Sequence, residues 1–567
     1  MPTCLAEAIQ AHQAGDVDTA ESYYTNWLKQ RPKDHHIWHL LGILYAQIEA
    51  YEAASKALKT ATHLAPNKHH YHQSLAQVYQ HQALYDLAET HLKQALTLQP
   101  KSTSLLRQMG NLLASQGEHE AAIHQYQQAL AQSPDCAINH FNLAMSLLRT
   151  EQWQAAQKSL EQTVIHEPKH AQAYHQLGQL AYQQSDYPTA LTHLKDCLKH
   201  EPSHVLAGHL MACIYCQQGD ESLAIEYFIK TLSHQPDHTE SHHNLAALYT
   251  RQHQYRAALT HWLRALEGQR DADTLCSVGA SYLAINQALE AKPYLMDALA
   301  LDPKHTDTHI ALGAVYLKSG EHQQALIHYE TALLIDPSLE SVQYVVDAIR
   351  RKPGTFQQAP DRYIKHLFNQ YADRFDEHLI GKLAYQTPTV LATELTDYMP
   401  QGGWPCAIDL GCGTGLMALA CDSMVHTFIG VDLADAMLEK ARQTKRYQKL
   451  ICIEITAYLQ ANDTPKVALI LAADVIPYFG ETQALFEYVA HNLLDGGIFA
   501  FTFELLEETN VQPWVLQTCA RYAHKASALH HQLVKAGLSI AAYAHFHPRQ
   551  QGQQAVDGQW VICKKTS

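Results

Sequence analysis

The chain has 567 residues, which is too long for one hydrophobic core and predicts several domains. Its apolar content of 47% and charged content of 17% are those of a folded globular protein and exclude extensive disorder. The formal net charge of -15 argues against a general nucleic-acid or anionic-membrane surface, although it leaves room for a local basic patch.

The N-terminal segment and the cysteines predict a location. The first residues lack a basic segment followed by an apolar one, and no apolar stretch is long enough for a membrane span. We therefore expect neither a signal peptide nor a transmembrane helix. The 12 cysteines are scattered, with Cys213 and Cys216 as the closest pair. A zinc site would need a second pair or histidines at ligand spacing, so we predict reduced thiols, no metal and a cytoplasmic location.

One unit of 34 residues occurs ten times between the N-terminus and about residue 339, with a single one-residue deletion. A glycine or alanine recurs in the first helix of each unit, an alanine recurs in the second, and a proline ends most units. The clearest copy begins at His35 and carries Trp38, Leu41, Gly42, Tyr45, Ala54, Leu58, Ala61 and Pro66. Period and residue types together identify tetratricopeptide repeats, which form an all-α superhelical solenoid. The eighth copy has Arg270 in place of the proline, close to the deletion, so we expect a looser junction there.

The concave face of the predicted solenoid carries amides, imidazoles and some aromatic rings, which suits an extended protein or peptide partner. Arg107, Asn111 and Asn142 match the positions that hold a peptide C-terminal carboxylate in chaperone-binding members of the repeat family. The next repeat has Gln172 and Gln176 where two basic residues would be expected. A carboxylate-binding groove and a solvated polar face therefore both remain open. A histidine also recurs in the second helix, in copies roughly 10 Å apart that cannot share a metal ion: His91, His193, His261 and His328.

The chain changes character after the repeats. Residues 340–354 are predicted to be a capping helix and a linker that ends at Pro353-Gly354, and residues 355–567 a second domain. Apolar stripes predict helices from Tyr363 to Phe375 and from Pro388 to Tyr398. From Cys406 strands alternate with helices, which predicts a mostly parallel α/β sheet. Seven strands are expected, the last two as an antiparallel hairpin: Cys406–Leu410, Thr427–Val431, Leu450–Glu454, Val467–Leu471, Ile498–Phe503, Ser539–His545 and Gln559–Cys563.

A glycine-rich turn follows the first of these strands. Asp409 to Gly415 reads Asp-Leu-Gly-Cys-Gly-Thr-Gly and leads into a helix start, an arrangement that brings a ligand against backbone N–H groups. The next strand ends on Asp432, whose carboxylate can accept both hydroxyls of a ribose. A dinucleotide motif needs a further glycine where this chain has Leu416, so an NAD-dependent enzyme is disfavoured. The pattern predicts a different nucleoside ligand.

The glycine turn, together with Gly430-Val431-Asp432 and Asp495-Gly496-Gly497, resembles the class I S-adenosylmethionine-dependent methyltransferases. That resemblance implies a Rossmann-like sheet of seven strands and S-adenosylmethionine as the cofactor. The region is similar, more narrowly, to predicted methyltransferases that carry tetratricopeptide repeats, which are distant relatives of the ubiquinone/menaquinone-biosynthesis type. Four further stretches carry this similarity: Tyr371–Leu379, Ala472–Gly480, Phe499–Glu504 and Arg521–His524.

The same resemblance implies a cofactor site. Tyr371 would lie over the cofactor, Asp432 would bind the ribose, and the glycine turn would surround the methionine moiety. One departure is Glu454, since the third strand of the family usually ends in an aspartate near the adenine; a glutamate can still accept the amine hydrogen bond. The full set expected around the cofactor is Tyr371, Asp409, Gly411, Cys412, Gly413, Gly415, Asp432, Leu433, Glu454, Ile455 and Ala473.

Methyl transfer depends mostly on holding the nucleophile and the methyl group in line, and it needs a base only when the nucleophile must lose a proton. Asp474 and Tyr478 follow the fourth strand and are candidate catalytic residues in the acceptor site, as is His524. Structural roles for all three are the alternative. We expect an S-adenosylmethionine-dependent methyltransferase with a partner-binding solenoid. The rival hypothesis is an interaction scaffold whose methyltransferase domain is catalytically weak or only senses the cofactor. The sequence does not identify the methyl acceptor.

Overall fold

A computed structural model describes residues 2–352, 356–372, 375–376, 383, 385–551 and 554–566. It contains two compact units, Met1–Pro236 and Asp237–Ser567. The first unit is entirely helical. The second combines further helix pairs with an α/β domain. No helix in the described ranges has the length and apolar character needed to cross a membrane.

The first unit consists of helices packed in successive pairs, each pair in contact with the next. This is the packing of an all-α repeat solenoid. Its helices are α1 (Pro2–Gln13), α2 (Val17–Gln30), α3 (His35–Gln47), α4 (Tyr51–Leu64), α5 (His69–His81), α6 (Tyr85–Leu98), α7 (Thr103–Ser115), α8 (His119–Gln132), α9 (Ala137–Arg149), α10 (Trp153–His166), α11 (Ala171–Gln183), α12 (Tyr187–His200), α13 (Val205–Gln218) and α14 (Glu221–His234).

Small residues let the two helices of a pair approach closely. A Cβ added to Gly42 would lie 2.5 Å from Leu58 Cγ, and one added to Gly110 would lie 2.5 Å from the Tyr126 ring. The partner side chains Leu58 and Tyr126 are fully buried. The recurring glycines and alanines of the sequence are therefore positions where a larger side chain would force the pair apart.

The second unit begins with three more helix pairs and a further helix. They are α15 (Thr239–Arg251), α16 (Tyr255–Gly268), α17 (Ala272–Ala284), α18 (Ala288–Leu301), α19 (Thr306–Lys318), α20 (His322–Ile335) and α21 (Glu340–Arg350). The loop between α16 and α17 has three residues, whereas the loop between α4 and α5 has four, which locates the one-residue deletion. Arg270 in this loop forms an ion pair with Asp297 of α18.

Helix α21 packs into the α/β domain. Tyr344 is fully buried in the same apolar cluster as Ile408 and Phe499 of the sheet, and its hydroxyl donates to the Ala520 carbonyl oxygen over 2.9 Å. The amphipathic helix predicted between Val342 and Ile349 is confirmed. The predicted linker boundary at Pro353-Gly354 lies outside the described residues.

The α/β domain contains the remaining elements. Its helices are α22 (Asp361–Tyr371), α23 (Thr387–Leu395), α24 (Leu416–Ala420), α25 (Asp435–Gln443), α26 (Ile455–Gln460), α27 (Gln483–Asn492) and α28 (Ala526–Lys535). Its strands are β1 (Trp404–Leu410), β2 (Val425–Asp432), β3 (Tyr447–Cys452), β4 (Val467–Ala472), β5 (Leu493–Leu505), β6 (Trp514–Leu516), β7 (Tyr522–His524), β8 (Leu538–Phe546), β9 (Gln550–Gln551), β10 (Gln554–Ala555) and β11 (Gly558–Lys565).

The main sheet has the order β3-β2-β1-β4-β5-β11-β8. The first five strands are parallel, and β11 pairs antiparallel with both β5 and β8. A strand is found at each of the seven predicted places, although not always with the predicted bounds, and the closing antiparallel hairpin is confirmed. The short strands β6 and β7, which pair beside the end of β5, and the β9–β10 hairpin were not predicted.

The third strand differs from the prediction. It ends at Cys452 and not at Glu454, because Glu454 is the N-cap residue of α26. The Glu454 side chain accepts a hydrogen bond from the Ala457 backbone N–H over 2.7 Å. A capping carboxylate satisfies a helix N–H that has no partner within the helix, so the helix begins one residue later.

Candidate cofactor and acceptor site

The site lies at the carboxyl edge of the parallel strands. In β1, Asp409 pairs with Gly430 of β2 on one side and with Leu471 of β4 on the other. The loops that follow these three strands therefore leave the sheet side by side. This is the edge at which open α/β sheets bind ligands.

The glycine turn after β1 has a backbone that larger residues rarely adopt. Gly411, Gly413 and Gly415 have φ angles of 63°, 52° and 94°. A Cβ on Gly411 would lie 2.6 Å from Val475 Cγ2, so this turn also contacts the loop after β4. The turn needs glycine both for its conformation and for the space beside it.

Asp432 connects the glycine turn to the end of β2. One carboxylate oxygen accepts from the Gly413 N–H and the other from the Ala434 N–H, each over 2.9 Å. Burial raises the pKa of Asp432, and the backbone N–H donors oppose that shift. Each oxygen has a second lone pair, so the carboxylate can still accept hydroxyl hydrogens from a ligand.

Asp409 is buried beneath the turn, with only 1% of its surface exposed. Its carboxylate accepts a hydrogen bond from the Tyr447 hydroxyl over 2.7 Å. Burial raises the pKa of Asp409 to about 7; Asp432 adds to the shift and the tyrosine hydrogen bond opposes it. The acidic groups at this end of the site would be stabilised in their charged form by a cationic ligand.

A cavity of about 600 Å³ opens at this edge. Ten of the residues predicted for the cofactor line it: Tyr371, Asp409, Gly411, Cys412, Gly413, Asp432, Leu433, Glu454, Ile455 and Ala473. Apolar side chains of α22, among them Ile364, Leu367 and Phe368, form another part of the wall. Among the described residues Gly415 is not part of the lining; it is the N-cap of α24.

Of the predicted catalytic residues, Asp474 and Tyr478 line the cavity and His524 does not, within the described part of the chain. His524 is 2% exposed, and its Nε2 lies 2.8 Å from the Phe479 carbonyl oxygen. Burial lowers the pKa of His524 to about 4, so it is neutral near pH 7. Its direct contact is with the backbone of the loop that carries Tyr478.

Asp474 belongs to a cluster of four charged side chains, with Glu504, Arg521 and Arg549. Arg521 donates to Glu504 over 2.6 Å, to the Tyr478 hydroxyl over 2.8 Å and to Asp474 over 2.7 Å. Arg549 donates to Glu504 over 2.6 Å and approaches Asp474 at 3.4 Å. These bonds join the loop after β4 to β5, to the start of β7 and to the segment after β8.

The backbone and the charge of Asp474 are both unusual. Its φ of 62° is a strained value for a residue other than glycine, and its N–H donates to the Thr502 hydroxyl over 2.9 Å. Burial acts to raise the pKa of Asp474, but Arg521 and Arg549 outweigh it and the net shift is downward. Asp474 is therefore ionised near neutral pH.

Sequence reasoning missed the two arginines as site residues. Arg521 opens one of the stretches that carried the family resemblance, which was a usable signal. Arg549 lies in the connection between β8 and β9, and no local pattern distinguishes it from a surface arginine. Tyr447, which donates to Asp409, lies within a strand and likewise carried no separate signal as a binding residue. Glu504, which accepts from both arginines, ends another of the stretches that carried the resemblance and lies near the end of a strand.

The predicted groove residues of the first unit bind one another in part. Asn142 donates to the Asn111 side-chain oxygen over 2.9 Å, and that oxygen also accepts from the Tyr126 hydroxyl over 2.8 Å. The side-chain oxygen of Gln172 lies 3.2 Å from Nε2 of His204 in α13. Gln176 approaches His175 at 3.4 Å, and Arg107 is half-buried on α7. The described residues contain no group of three or more side chains suited to hold a metal ion.

Family models match both parts of the chain. The model described as "Methyltransferase domain" matches residues 408–501. The "Cytochrome c-type biogenesis protein H TPR domain" model matches residues 24–136, and the "Tetratricopeptide repeat" model matches residues 113–180 and 282–348. No curated protein matches the chain.

Several solved structures are similar to parts of the chain, all at low TM-scores. "YrrB: a TPR protein with an unusual peptide-binding site" has 19% identity, a TM-score of 0.30, and coverage of 33% of this chain and 96% of its own. Pseudomonas aeruginosa pilF has 20% identity, a TM-score of 0.33, and coverage of 36% and 94%. "Naa15/Naa10 bound to HypK-THB" has 14% identity, a TM-score of 0.27, and coverage of 70% and 76%.

Proposed function

We propose that this chain, which combines tetratricopeptide repeats with a methyltransferase domain, is an S-adenosylmethionine-dependent methyltransferase whose repeats bind a protein or peptide partner. The observation that carries the proposal is the glycine turn joined to Asp432, inside the segment that matches the methyltransferase family model. The other elements of the cavity agree with it.

The cavity suits a nucleoside that carries a positive charge. The left-handed glycines leave no Cβ between the turn and a ligand, and Asp432 keeps free lone pairs for ribose hydroxyls. Asp409 and Glu454 add further carboxyl groups to the cavity lining. S-adenosylmethionine, when bound, supplies a methyl group on a sulfonium cation.

The residues around the acceptor have to orient it and exclude water. Asp474 is held ionised by two arginines, and burial raises the pKa of Tyr478, so neither group is poised to take a proton near pH 7. We assign both residues to binding and orienting the acceptor. We assign His524 a positioning role, since it lies outside the described cavity lining and its Nε2 is 2.8 Å from the backbone carbonyl oxygen of Phe479, in the loop that carries Tyr478. Free thiols such as Cys406 and Cys412 agree with a cytoplasmic location.

Glu454 supports a second candidate function. Its carboxylate already caps α26, so a cofactor adenine would have to share it with the Ala457 N–H. A domain that binds S-adenosylmethionine weakly, and serves as a sensor on an interaction scaffold, would tolerate that competition. Transfer of a labelled methyl group to any acceptor would decide against the sensor.

Calorimetry on the full chain tests the cofactor assignment. S-adenosylmethionine and S-adenosylhomocysteine should bind at one site, and NAD⁺ should not bind. Asp432→Ala should abolish binding, whereas Asp463→Ala, at an exposed carboxylate in the loop before β4, should not change it. Absence of binding to the wild-type chain, or unchanged affinity in Asp432→Ala, would remove the assignment.

The acceptor can be sought through the repeats. Proteins captured by the immobilised full chain would be incubated with it and methyl-labelled S-adenosylmethionine. Label on a captured protein, absent with Asp432→Ala, would support a protein acceptor. Label appearing only on small molecules from the same extract would assign the repeats to partner binding alone.

A further inference from the structure

One wall of the cavity is rich in hydrogen-bond donors. We call Arg521, Arg549 and Tyr478, with Asp474 between them, the arginine wall, and all four residues line the cavity. Glu504, the fourth charge of the cluster, is only 2% exposed and is not part of the described lining. A ligand against this wall therefore meets two guanidinium groups and one carboxylate, that of Asp474.

The arginine wall has donors to spare. A guanidinium has five N–H groups, and Arg521 uses three of them on Glu504, Tyr478 and Asp474. Among the described residues, Arg549 makes one short bond, to Glu504, and longer contacts of 3.4 Å to Asp474. The Tyr478 hydroxyl accepts from Arg521, which leaves its own hydrogen to donate.

The acidic groups beside the glycine turn belong to a neighbouring part of the cavity. Asp409 and Asp432 surround the glycine turn, while the arginine wall begins at Asp474, beyond the turn's contact with Val475. Since β1 and β4 are adjacent parallel strands, the two walls leave the sheet next to each other. The cavity thus offers carboxylates on one side and guanidinium groups on the other.

We propose that the methyl acceptor carries a carboxylate group, which the arginine wall binds through Arg521 and Arg549. This inference rests on the proposed function, because it places the cofactor against the glycine turn. Arginine pairs bind carboxylates through parallel N–H donors, and the planar fork makes that contact specific. The sulfonium charge of the cofactor offsets the added negative charge of the acceptor in the same cavity.

A carboxylate acceptor also explains why neither Asp474 nor Tyr478 is poised as a general base. A carboxylate acceptor is already ionised near pH 7, so any methyl transfer onto its oxygen would release no proton. The oxygen would form the new bond to the methyl carbon, and the electrons of the broken carbon–sulfur bond would remain on the sulfur. Asp474 and Tyr478, which are not poised as bases, are then sufficient as orienting groups.

A matched pair of small probes tests this inference. The full chain saturated with S-adenosylhomocysteine would be titrated with phenylacetate and with phenethylamine, which have similar shapes and opposite charges, and binding followed by ligand-observed NMR. Phenylacetate should bind and phenethylamine should not. Arg549→Gln should weaken phenylacetate binding about tenfold or more, because a hydrogen bond to a charged group is lost.

Two further variants separate the specific effect from loss of folding. Arg549→Lys keeps the charge but loses the planar fork, and it should also weaken phenylacetate binding. Arg442→Gln, at an exposed arginine on α25, should leave it unchanged. Affinity for S-adenosylhomocysteine should stay the same in all three variants, since the arginine wall is not part of the cofactor side.

The outcomes distinguish this inference from the proposed function. Failure of S-adenosylhomocysteine to bind the wild-type chain overturns both. Normal cofactor binding together with equal affinity for the two probes, or a preference for phenethylamine, overturns only the carboxylate assignment. The four charges would then serve to hold together the loops after β4 and β8.

Discussion

The buried carboxyl group of Asp409 should destabilise the methyltransferase domain when no cofactor is bound. The variant Asp409→Asn should show how large this loss of folding free energy is. The carboxyl group is 1% exposed, and burial raises its pKa from 3.8 to about 7. The folded state therefore binds a proton at pH values where the unfolded chain has already released it. By linkage, stability falls as the pH rises from the unfolded to the folded pKa.

The magnitude follows from the two pKa values. The shift is about three units, and each unit corresponds to about 1.4 kcal/mol, so the full penalty is about 4 kcal/mol above pH 7. Asparagine cannot ionise, and its amide oxygen can still accept from Tyr447. The stability advantage of Asp409→Asn over wild type should grow by about 1.4 kcal/mol per pH unit between pH 4 and 7, then level off.

Hydrogen–deuterium exchange of the β1 amides measures this advantage locally, which avoids assuming that a multidomain chain unfolds in one step. Exchange in wild type and Asp409→Asn would be compared from pH 5 to pH 8. Asp463→Asn, at an exposed carboxylate, provides the baseline for replacing an acid by an amide. An advantage that stays constant over this range would refute the raised pKa and the reasoning built on it.

Three other predictions concern the glycine turn after β1, the repeats, and α21, the helix that follows the repeats. Gly411→Ala should lower S-adenosylhomocysteine affinity at least tenfold in calorimetry, while Gly402→Ala, which has a similar positive φ but open space, should cost only about 1 kcal/mol of stability and no affinity. Burial and a histidine partner lower the pKa of His261 to about 4. The stability of its repeat should therefore fall as the pH drops from 6.5 towards 4. In urea titrations, His261→Gln should reduce that fall. Tyr344→Phe should speed hydrogen exchange around Ala520, whose carbonyl loses a buried hydrogen bond worth about 1 to 3 kcal/mol.

The repeats could be predicted from the sequence because each copy carries the same local residue pattern, and that pattern recurs many times. A single copy such as Gly42 with Leu58 could be accidental, but ten copies at one spacing are not. For the histidines, periodicity showed one residue of each pair but not its partner. The sequence showed that His91, His261 and His328 recur, whereas their partners lie 19 residues upstream in the facing helix. Each pair brings two ring nitrogens within about 3 Å, and burial is the main cause that lowers the pKa values of His91, His261 and His328, so these three are neutral near pH 7.

The α/β domain was predictable where its strands are long and buried on both faces. The error at Glu454 arose because Ile453-Glu454-Ile455 alternates like a strand, while a capping hydrogen bond starts a helix there. Strands β6 and β7 have three residues each, too few for a period to appear. Their position is determined by pairing with the end of β5, a contact between distant parts of the chain.

The candidate site also has one part that local sequence could predict and one part that depends on contacts between distant residues. The proposed cofactor side is built around residues close together in sequence, from Asp409 to Asp432. The proposed acceptor side depends on Arg549, which reaches Glu504 across 45 residues. Such a contact becomes visible only when the strands are assembled, so the sequence could indicate a methyl donor but not the chemistry of the acceptor.

The charges around the cavity connect the acidic side at the glycine turn with the arginine wall. Burying ionised groups costs free energy unless partners or ligands offset it, and functional sites are where proteins retain that cost. Asp409 and Asp432 have raised pKa values, and their hydrogen-bond partners among the described residues are the Tyr447 hydroxyl and backbone N–H groups, so a cationic ligand would stabilise their charged forms. On the arginine wall, guanidinium donors remain for an anion. The stability that Asp409→Asn restores and the cofactor affinity that it loses should therefore be two measures of the same buried charge.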